Sequence, residues 1–312
     1  MQIRSDDPGF GEKYFSQTQR LINKDGSFNI IKKGAGFTPR DIYQYLINIS
    51  WPKFFLIILA FYVALNFVFA MLYFIVGADH INGINSRSFI NTYSDLFFFS
   101  VQTFTTVGYG GMIPKDLITN IIAAMETLTG LLGFALATGL LYGRFSRPSA
   151  RIIYSKMALI SPFKDKNSFQ FRIANQRRNT LMEMEAKVMV AFIERTDGQS
   201  VKRYYDMKLE RSYIYFFPLS WTLVHPIDNE SPLSGKGPNE LRALEAEILI
   251  LIKGFDDTFS QVVHSRFSYR YDEIIWGAKF KKTFFIDDNG DFVIDLKNIH
   301  DYEKESFQYE LL

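Results

Sequence analysis

Two long apolar runs with a short one between them constrain the fold of this chain more than any other feature. Residues 54–76 carry only apolar, aromatic or small side chains apart from Asn66, and residues 117–142 carry a single charge, at Glu126. As a helix, each run is long enough to cross a hydrocarbon core of about 30 Å. The sequence therefore predicts two membrane-spanning helices in the first half of the chain.

Residues in and around these runs predict how each helix sits in lipid. We interpret Trp51, Lys53 and Tyr73 as anchors at the membrane interface. The second run is rich in glycine and alanine, which let helix backbones approach each other closely. A charge that faces lipid is costly, so we expect Glu126 to face protein or water. We favour a buried structural hydrogen bond over a direct transport role for this residue.

The short run, residues 93–104, has only about a dozen residues and cannot cross the membrane. Thr92 and Asp95 resemble a capping box that opens a short helix. The run leads into the sequence TFTTVGYG at residues 103–110. Non-helical backbone at membrane depth is tolerated only where it is buried or lines a water-filled path. We therefore predict a re-entrant hairpin between the two spans.

The motif at residues 106–110 predicts a binding site for potassium ions. Backbone carbonyls that replace the water around an ion must point to one side, which needs angles that glycine adopts cheaply. We expect K⁺ to be bound by Thr106, Val107, Gly108, Tyr109 and Gly110, with the Thr106 hydroxyl at the inner end. Potassium channels are built from four such loops, so this assignment is recognised from known channels and requires a tetramer. No organic cofactor is expected.

Basic residues predict the orientation of the two spans. They precede the first span and follow the second, at Arg40, Lys53, Arg144, Arg147, Arg151 and Lys156. The loop between the spans has only Arg87 and Lys115, set against three aspartates. The positive-inside rule then places both termini in the cytoplasm and the protein in the inner (plasma) membrane.

Composition argues against several other classes of protein. The net charge of +2 is too small to indicate nucleic-acid binding, and the absence of cysteine excludes disulfides and thiolate metal sites. No nucleophile–base pair or paired carboxylate site can be placed, so an enzyme is not expected. No phosphate-binding glycine motif appears, which disfavours a nucleotide-sensing domain.

The second half of the chain has the pattern of a β sandwich. Strands are predicted at residues 168–173, 185–193, 201–209, 213–225, 247–252, 258–267, 282–286 and 291–295. Regular strands separated by turns are typical of a sandwich rather than an α/β domain. We interpret Asn289 and Gly290 as a hairpin turn rather than part of a calcium loop.

Six stretches of the sequence resemble the prokaryotic inward-rectifier potassium channel (KirBac) family. They are SWPKF (50–54), TFTTVGYG (103–110), GLLYGRFSRP (139–148), RIANQR (172–177), HPIDNESPL (225–233) and IIWG (274–277). The resemblance implies a homotetramer with slide, outer, pore and inner helices and an immunoglobulin-like cytoplasmic sandwich. The implied domains are an amino-terminal segment (1–36), the slide helix with the pore domain (37–148) and the sandwich (149–312).

The resemblance also implies how such a channel is gated. Residues 37–49 match the slide helix that couples cytoplasmic movement to the gate, although a simple membrane anchor would have the same residues. Tyr142 matches the crossing point of the inner helices, unless it is merely an interfacial aromatic residue. Gly130 matches the hinge glycine, and Gly254 matches the flexible loop at the cytoplasmic entrance.

The basic residues near the inner leaflet are candidates for binding lipid. Arg40, Lys53, Arg144, Arg147 and Arg151 could each gain about 1 kcal/mol from anionic headgroups. Charge that only sets the topology is an equally open interpretation. Since the family is lipid-regulated, we expect sensitivity to anionic lipids, phosphoinositides in particular.

Departures from the wider family bear on block and selectivity. Phe134 stands where strong rectifiers carry an acid, whereas Glu183 matches an acid of the cytoplasmic pore. We therefore expect weak to moderate rectification, with Mg²⁺, Ba²⁺ or polyamines as pore blockers. Gln102 and Met112 replace the ion pair that braces the filter in animal relatives. The alternative function is a non-conducting, membrane-anchored sensor or scaffold that uses the β domain.

Overall fold

The computed structural model describes residues 7–11, 20–31, 33–34, 39–85, 88–146, 150–196 and 199–305. The chain divides into two compact units. The helical unit is Gly34–Arg147, and the β unit combines Met1–Lys33 with Pro148–Leu312. The described residues of each unit are considered separately below.

Among the residues that the structure describes, the helical unit contains four α-helices, a short 3-10 helix (Ala78–His80) and one pair of short strands. Its elements are α1 (Pro39–Asn48), α2 (Trp51–Val76), β1 (Ile81–Asn82), α3 (Phe89–Phe104), β2 (Ile113–Pro114) and α4 (Leu117–Phe145). The two short strands pair antiparallel with each other. Helices α2 and α4 have 26 and 29 residues and are long and apolar enough to cross a membrane, as the sequence predicts.

The helix starts follow from local capping. Ser50 occupies the N-cap position of α2 without a side-chain cap hydrogen bond, and proline lies in the first turn, where its fixed φ suits the helix. At the start of α4, the Asp116 carboxylate accepts the backbone N–H of Thr119 at 2.9 Å in a capping box. The prediction that Thr92 opens the short helix was wrong, because the Thr92 N–H already donates to the carbonyl of Ser88, the actual N-cap.

In its described residues, the β unit has two five-stranded sheets and two small two-stranded sheets. Its elements are β3 (Ile152–Tyr154), β4 (Ala158–Phe163), β5 (Lys166–Asn175), β6 (Leu181–Thr196), β7 (Gln199–Asp206), β8 (Tyr213–Phe216), β9 (Ser220–Ile227), α5 (Pro238–Ala243), β10 (Glu247–Asp256), β11 (Gln261–Arg270), β12 (Ile274–Trp276), β13 (Ala278–Phe280), β14 (Phe284–Ile286), β15 (Phe292–Ile294) and β16 (Tyr302–Lys304). One five-stranded sheet has the order β11-β10-β6-β7 with β8 also on β6. The other has the order β12-β4-β5-β3 with β9 also on β5. The two small sheets are β13-β16 and β14-β15.

The inner faces of both five-stranded sheets share one apolar core. Phe169 and Phe171 from β5 lie in the same cluster as Ile248 and Ile250 from β10, all essentially fully buried. Burying each such side chain stabilises the fold by about 1.5–3 kcal/mol. The predicted sandwich is thus the observed architecture of this unit.

Most predicted strands match, and the strands that differ from the prediction include one division with a local cause. The predicted strand at 213–225 is two strands, β8 and β9, because Pro218 between them lacks the N–H needed to continue a ladder. The hairpin predicted at Asn289 and Gly290 is confirmed as the turn between β14 and β15, with Gly290 at φ +87°. Of the described strands, five in the β unit were not predicted (β3, β4, β12, β13 and β16), and neither were β1 and β2 of the helical unit.

Part of the amino-terminal segment packs on the β unit. The Glu247 carboxylate accepts the backbone N–H of Leu21 at 3.0 Å and that of Ile22 at 3.4 Å. The Lys202 ammonium lies 3.6 Å from the same carboxylate, and both side chains are nearly fully buried. The backbone N–H groups of Leu21 and Ile22 therefore help to stabilise this ion pair.

His225 gives the β unit a predictable response to pH. Its Nδ1 faces the Lys208 carbonyl at 2.7 Å and so carries the hydrogen, while Nε2 faces the Ser231 hydroxyl at 2.7 Å. Burial lowers the pKa of His225 below its ordinary value of 6.5, so the unfolded chain takes up a proton more readily than the folded one. The contribution of His225 to the free energy of unfolding is therefore fully present above about pH 6.5 and decreases as the pH falls below that value.

We expect the free energy of unfolding to fall by up to about 1.4 kcal/mol per pH unit below pH 6.5 on account of this residue. Thermal unfolding of the detergent-solubilised protein at about pH 7.5 and pH 5.5, with His225→Gln alongside, measures this. The variant should lose part of the pH dependence. Burial also lowers the pKa of His300, which both proteins contain, so the difference between the two proteins isolates His225. Equal pH dependence in both would contradict the assignment.

Candidate functional site

The segment at 105–110 begins as a regular helix C-cap. The Thr106 N–H donates to the Thr103 carbonyl at 3.0 Å, and the Val107 N–H donates to the Gln102 carbonyl at 2.9 Å. These two bonds are those of a Schellman motif, in which the first residue past the cap adopts left-handed angles. Here that residue is Thr106, at φ +60°, which is unusual for a β-branched side chain. The end of α3 thereby sets the direction of the segment that follows.

Backbone handedness then alternates along the segment. Thr106, Gly108 and Gly110 have φ values of +60°, +53° and +82°, whereas Val107 and Tyr109 between them have negative φ. Alternation of left- and right-handed residues turns successive N–H groups to one side and successive carbonyls to the other. A row of carbonyl oxygens on one side can replace the hydration shell of a cation. A row of this kind is what the predicted potassium site needs, and the role of residues 106–110 stays a prediction.

The same segment is open within one chain. The side chains of Val107 and Tyr109 are 53% and 80% exposed. Among the described residues, no atom lies within 4 Å of a Cβ added at Gly108 or Gly110. One side of this segment is therefore left uncovered by the described residues of a single chain.

The outer end of the segment is held by close backbone packing. Gly83, at φ +89°, lies so near that a Cβ there would be 2.0 Å from the Gly111 carbonyl oxygen. Met112, where the family's ion pair was expected to be missing, packs against an apolar cluster that includes Ile81 and Phe99. Lys115 donates to the Asp79 carbonyl at 2.8 Å. Apolar and backbone contacts therefore support the region where animal relatives are expected to use charges.

A cluster of buried polar side chains lies where α2, α3 and α4 meet. The Tyr73 hydroxyl donates to Oε2 of Glu126 at 2.7 Å, and the Ser100 hydroxyl contacts Oε1. Asn66 Oδ1 lies 3.0 Å from the Ser100 hydroxyl, and all four side chains are fully buried. The prediction that Glu126 faces protein is confirmed. The prediction that Tyr73 is an interface anchor was wrong, because its side chain is fully buried and its hydroxyl donates to Glu126.

Gly130 lies directly against the end of α3. A Cβ at this position would be 2.0 Å from the carbonyl oxygen of Phe104, the last residue of α3. Helix α4 continues through Gly130 without interruption. The structure therefore gives a packing reason for this glycine, while its role as a hinge stays a prediction.

The two aromatic residues predicted for the gate and for rectification are both exposed on α4. Tyr142 is 73% exposed and Phe134 is 75% exposed in a single chain. Eight residues along an α-helix place them within about 80° of each other around the axis. They can therefore border the same path, and the roles predicted for them remain predictions.

Glu183 and Gly254 meet at one irregularity of the β unit. Glu183, in β6, has left-handed angles with φ +50° and an exposed side chain. Gly254 lies in β10 where the register with β6 shifts, and a Cβ there would be 2.3 Å from the Met184 sulfur. Gly254 is thus in a strand, two residues before the strand ends at Asp256. The expected flexible loop begins only beyond that point.

Arg144 joins the end of α4 to the end of α1. Its guanidinium donates to the Leu46 carbonyl, to the Ile47 carbonyl at 3.1 Å and to the Ile49 carbonyl at 2.7 Å. It also lies over the rings of Trp51 and Phe54, 4.4 and 4.5 Å from their centroids. The last carbonyls of a helix lack internal partners and attract positive charge. Arg144 is therefore a clamp between the two helices.

The structure does not test whether the other predicted lipid-binding residues lie together. Lys53 and Arg151 are exposed, and they belong to different units. The Arg40 side chain and the whole of Arg147 lie outside the described residues. Lipid binding by this set stays a prediction from charge.

We expect Arg144→Gln to reduce stability by about 2–4 kcal/mol, because it removes charge-assisted hydrogen bonds and a stacked cation. The apparent melting temperature of the detergent-solubilised protein measures this. Lys53→Gln, which removes the same charge from an exposed side chain, should stay within about 0.5 kcal/mol of wild type. Equal effects of the two changes would argue against the clamp.

Two spanning helices with a re-entrant helix and a glycine-containing segment between them, followed by a β sandwich, define the subunit of a two-span ion channel. The family model "Ion channel" matches residues 51–147, and "Inward rectifier potassium channel C-terminal domain" matches residues 152–309. The chain belongs to the inward-rectifier potassium channel family, whose members are ion channels rather than enzymes.

Two relatives show how far the likeness extends. The inward rectifier potassium channel Kirbac3.1 of Paramagnetospirillum magnetotacticum is 38% identical over 295 residues, which cover 93% of this chain and 98% of the relative. The ATP-sensitive inward rectifier potassium channel 11 of Cavia porcellus is 25% identical over 284 residues, covering 84% and 72%. The predicted resemblance to KirBac channels is thereby confirmed, and the function is that of a potassium channel.

Proposed function

We propose that four copies of this chain form a K⁺-selective pore in which residues 106–110 of each copy line one quarter of the filter. The observation that supports this most is the alternating backbone handedness at Thr106, Gly108 and Gly110. It directs a row of carbonyl oxygens to one side, as a dehydrated cation requires.

A single chain cannot complete such a site. One row of carbonyls contacts an ion from one direction only, and the exposed faces of Val107 and Tyr109 leave space for neighbours. Closed cyclic symmetry would surround the ion with equivalent oxygens from every subunit. A homotetramer, the arrangement of known potassium channels with four such loops, meets this requirement.

Gating and regulation form the finer part of the proposal. Tyr142 closes the path where the α4 helices cross, and a ring of such side chains blocks ions by excluding water. Anionic lipids, including phosphoinositides, act on the basic residues near the membrane surface. Mg²⁺, Ba²⁺ and polyamines block the pore, with weak to moderate rectification because Phe134 carries no charge. The channel lies in the plasma membrane, with both termini in the cytoplasm.

Flux into liposomes tests the proposal. The purified protein is reconstituted, and uptake of rubidium or potassium is compared with that of sodium, with and without barium. Lipid mixtures with and without phosphoinositide are included, and chemical cross-linking reports the number of subunits. Barium-sensitive uptake that prefers potassium, in a cross-linked tetramer, is the expected result. Flux no greater than that of protein-free liposomes in every lipid mixture would reject conduction and favour the sensor or scaffold.

A further inference from the structure

Glu126 occupies a place that neither the ion path nor the gate accounts for. It lies where α2, α3 and α4 meet, and its carboxyl group is fully buried. It contacts one side chain from each of the other two helices, Tyr73 of α2 and Ser100 of α3. No basic side chain pairs with it among the residues that the structure describes. A buried carboxyl group without a counter-ion needs another source of stabilisation.

Counting hydrogens in this cluster indicates where a proton sits. Asn66 donates through Nδ2 to the Tyr62 carbonyl at 2.8 Å, and a carbonyl can only accept. Asn66 must therefore present its Oδ1, a second acceptor, to the Ser100 hydroxyl. The Ser100 oxygen thus contacts two acceptor positions, Asn66 Oδ1 and Glu126 Oε1, but has a single hydrogen.

Each contact in this cluster holds one hydrogen only when the Glu126 carboxyl group is neutral. With a proton on Oε1, Glu126 donates to Ser100, Ser100 donates to Asn66, and Asn66 donates to the Tyr62 carbonyl. The Tyr73 hydroxyl donates to Oε2. Each contact then holds one hydrogen. With an ionised carboxylate, one buried contact would join two acceptors, which is costly.

This cluster lies one helical turn from the start of the filter segment. Ser100 precedes Phe104 by four residues on α3, and Glu126 precedes Gly130 by four residues on α4. The pairs Glu126–Ser100 and Gly130–Phe104 therefore join the two helices at matching positions, one turn apart. A shift of Ser100 would be carried through the last turn of α3 into Thr106.

We propose that Glu126, acting as a neutral carboxylic acid, is a positioning residue that fixes α3 and hence the filter segment against α4. This inference rests on the proposed function of residues 106–110. The role is distinct from attraction of cations by a carboxylate, which would require Glu126 to be charged. It makes the selectivity of the pore, rather than its opening at Tyr142, depend on Glu126.

Two substitutions separate the neutral acid from the anion. In Glu126→Gln, the amide nitrogen can donate to Ser100 and the amide oxygen can accept from Tyr73, so the whole pattern is kept. We expect this variant to retain potassium flux and the potassium-to-sodium flux ratio within about twofold. Glu126→Leu removes both contacts, and we expect its flux ratio to fall by at least about tenfold. Loss of selectivity in Glu126→Gln, or wild-type selectivity in Glu126→Leu, would overturn the inference.

Infrared spectroscopy detects the protonated carboxyl group directly. It needs neither a flux measurement nor a variant that assembles poorly. The reconstituted wild-type protein should show the carbonyl stretch of a protonated carboxyl group near neutral pH, and the band should be missing from Glu126→Gln. Its absence from wild type would overturn the neutral acid. A wild-type protein that shows the band but no barium-sensitive flux would instead overturn the proposed function, so the two failures are distinguishable. Ser100→Ala, which interrupts the hydrogen bonds at their centre, should lower the flux ratio, and an unchanged ratio would count against positioning.

Discussion

Replacing Gly108 with alanine is expected to abolish potassium flux. Gly108 has left-handed angles, φ +53°, between two residues of negative φ. An alanine costs about 1–2 kcal/mol in this conformation, and the proposed tetramer contains four copies. The combined penalty of about 4–8 kcal/mol favours another backbone arrangement by a factor of about 10³ or more. Barium-sensitive rubidium uptake should then equal that of protein-free liposomes.

Gly111 offers a matched control in the same loop. It does not have positive φ, and a Cβ there would meet no atom within 4 Å. Gly111→Ala should conduct within about twofold of wild type, as expected for an unstrained surface position. Cross-linking confirms that both variants assemble to the same extent. If Gly108→Ala conducted as well as Gly111→Ala, the alternating backbone would not be the ion path.

Features that depend on a single stretch of chain were predictable from the sequence. The two spans follow from the composition of 54–76 and 117–142 alone, and the hairpin at Asn289 and Gly290 follows from its turn chemistry. The filter motif is likewise local. The left-handed conformation of Thr106 was not predicted, because it arises from the C-cap of α3 and not from a preference of threonine.

Features that depend on distant residues were not predictable. Strand β12 is only three residues long and exists because it pairs in parallel with β4, far earlier in the chain. Tyr73 has the position of an interface anchor in sequence, and only the packing of α2 on α4 reveals that its hydroxyl meets Glu126. One signal was available for the polar cluster. Asn66 and Glu126 are strongly polar residues within the two apolar runs, and such groups in lipid require partners.

For some residues, the structure shows contacts within the protein that the resemblance to the family did not indicate. Arg144 is engaged by carbonyls at the end of α1, so its charge acts within the protein in addition to any effect on lipid. Gly254 is a place of close contact with Met184 within a strand. In both cases the residue type is explained by its immediate neighbours. If the neighbours of Gly130 also explain that glycine, replacing it should have a different effect from the one that a hinge predicts.

Gly130→Ala is expected to lower both stability and selectivity. The new Cβ would lie 2.0 Å from the Phe104 oxygen and 2.9 Å from its carbonyl carbon, and these backbone atoms cannot rotate away. Overpacking of this kind costs about 1–3 kcal/mol or more in each subunit, which exceeds the gain of about 1 kcal/mol from alanine in a helix. Because Phe104 leads directly into the filter segment, the displacement reaches Thr106. The measurements are the apparent melting temperature and the potassium-to-sodium flux ratio, both of which should fall.

Gly133 is the control on the same helix, because a Cβ there would lie 3.8 Å from the Phe104 ring, an ordinary contact. Gly133→Ala should therefore keep wild-type selectivity and match or exceed wild-type stability. The hinge interpretation predicts a different outcome for Gly130→Ala, since alanine suits a straight helix and would change only the time the gate spends open. A Gly130→Ala channel with wild-type melting temperature and selectivity but altered opening would support the hinge and reject the packing role. Reduced selectivity confined to Gly130→Ala would instead show that α4 positions the filter through this contact.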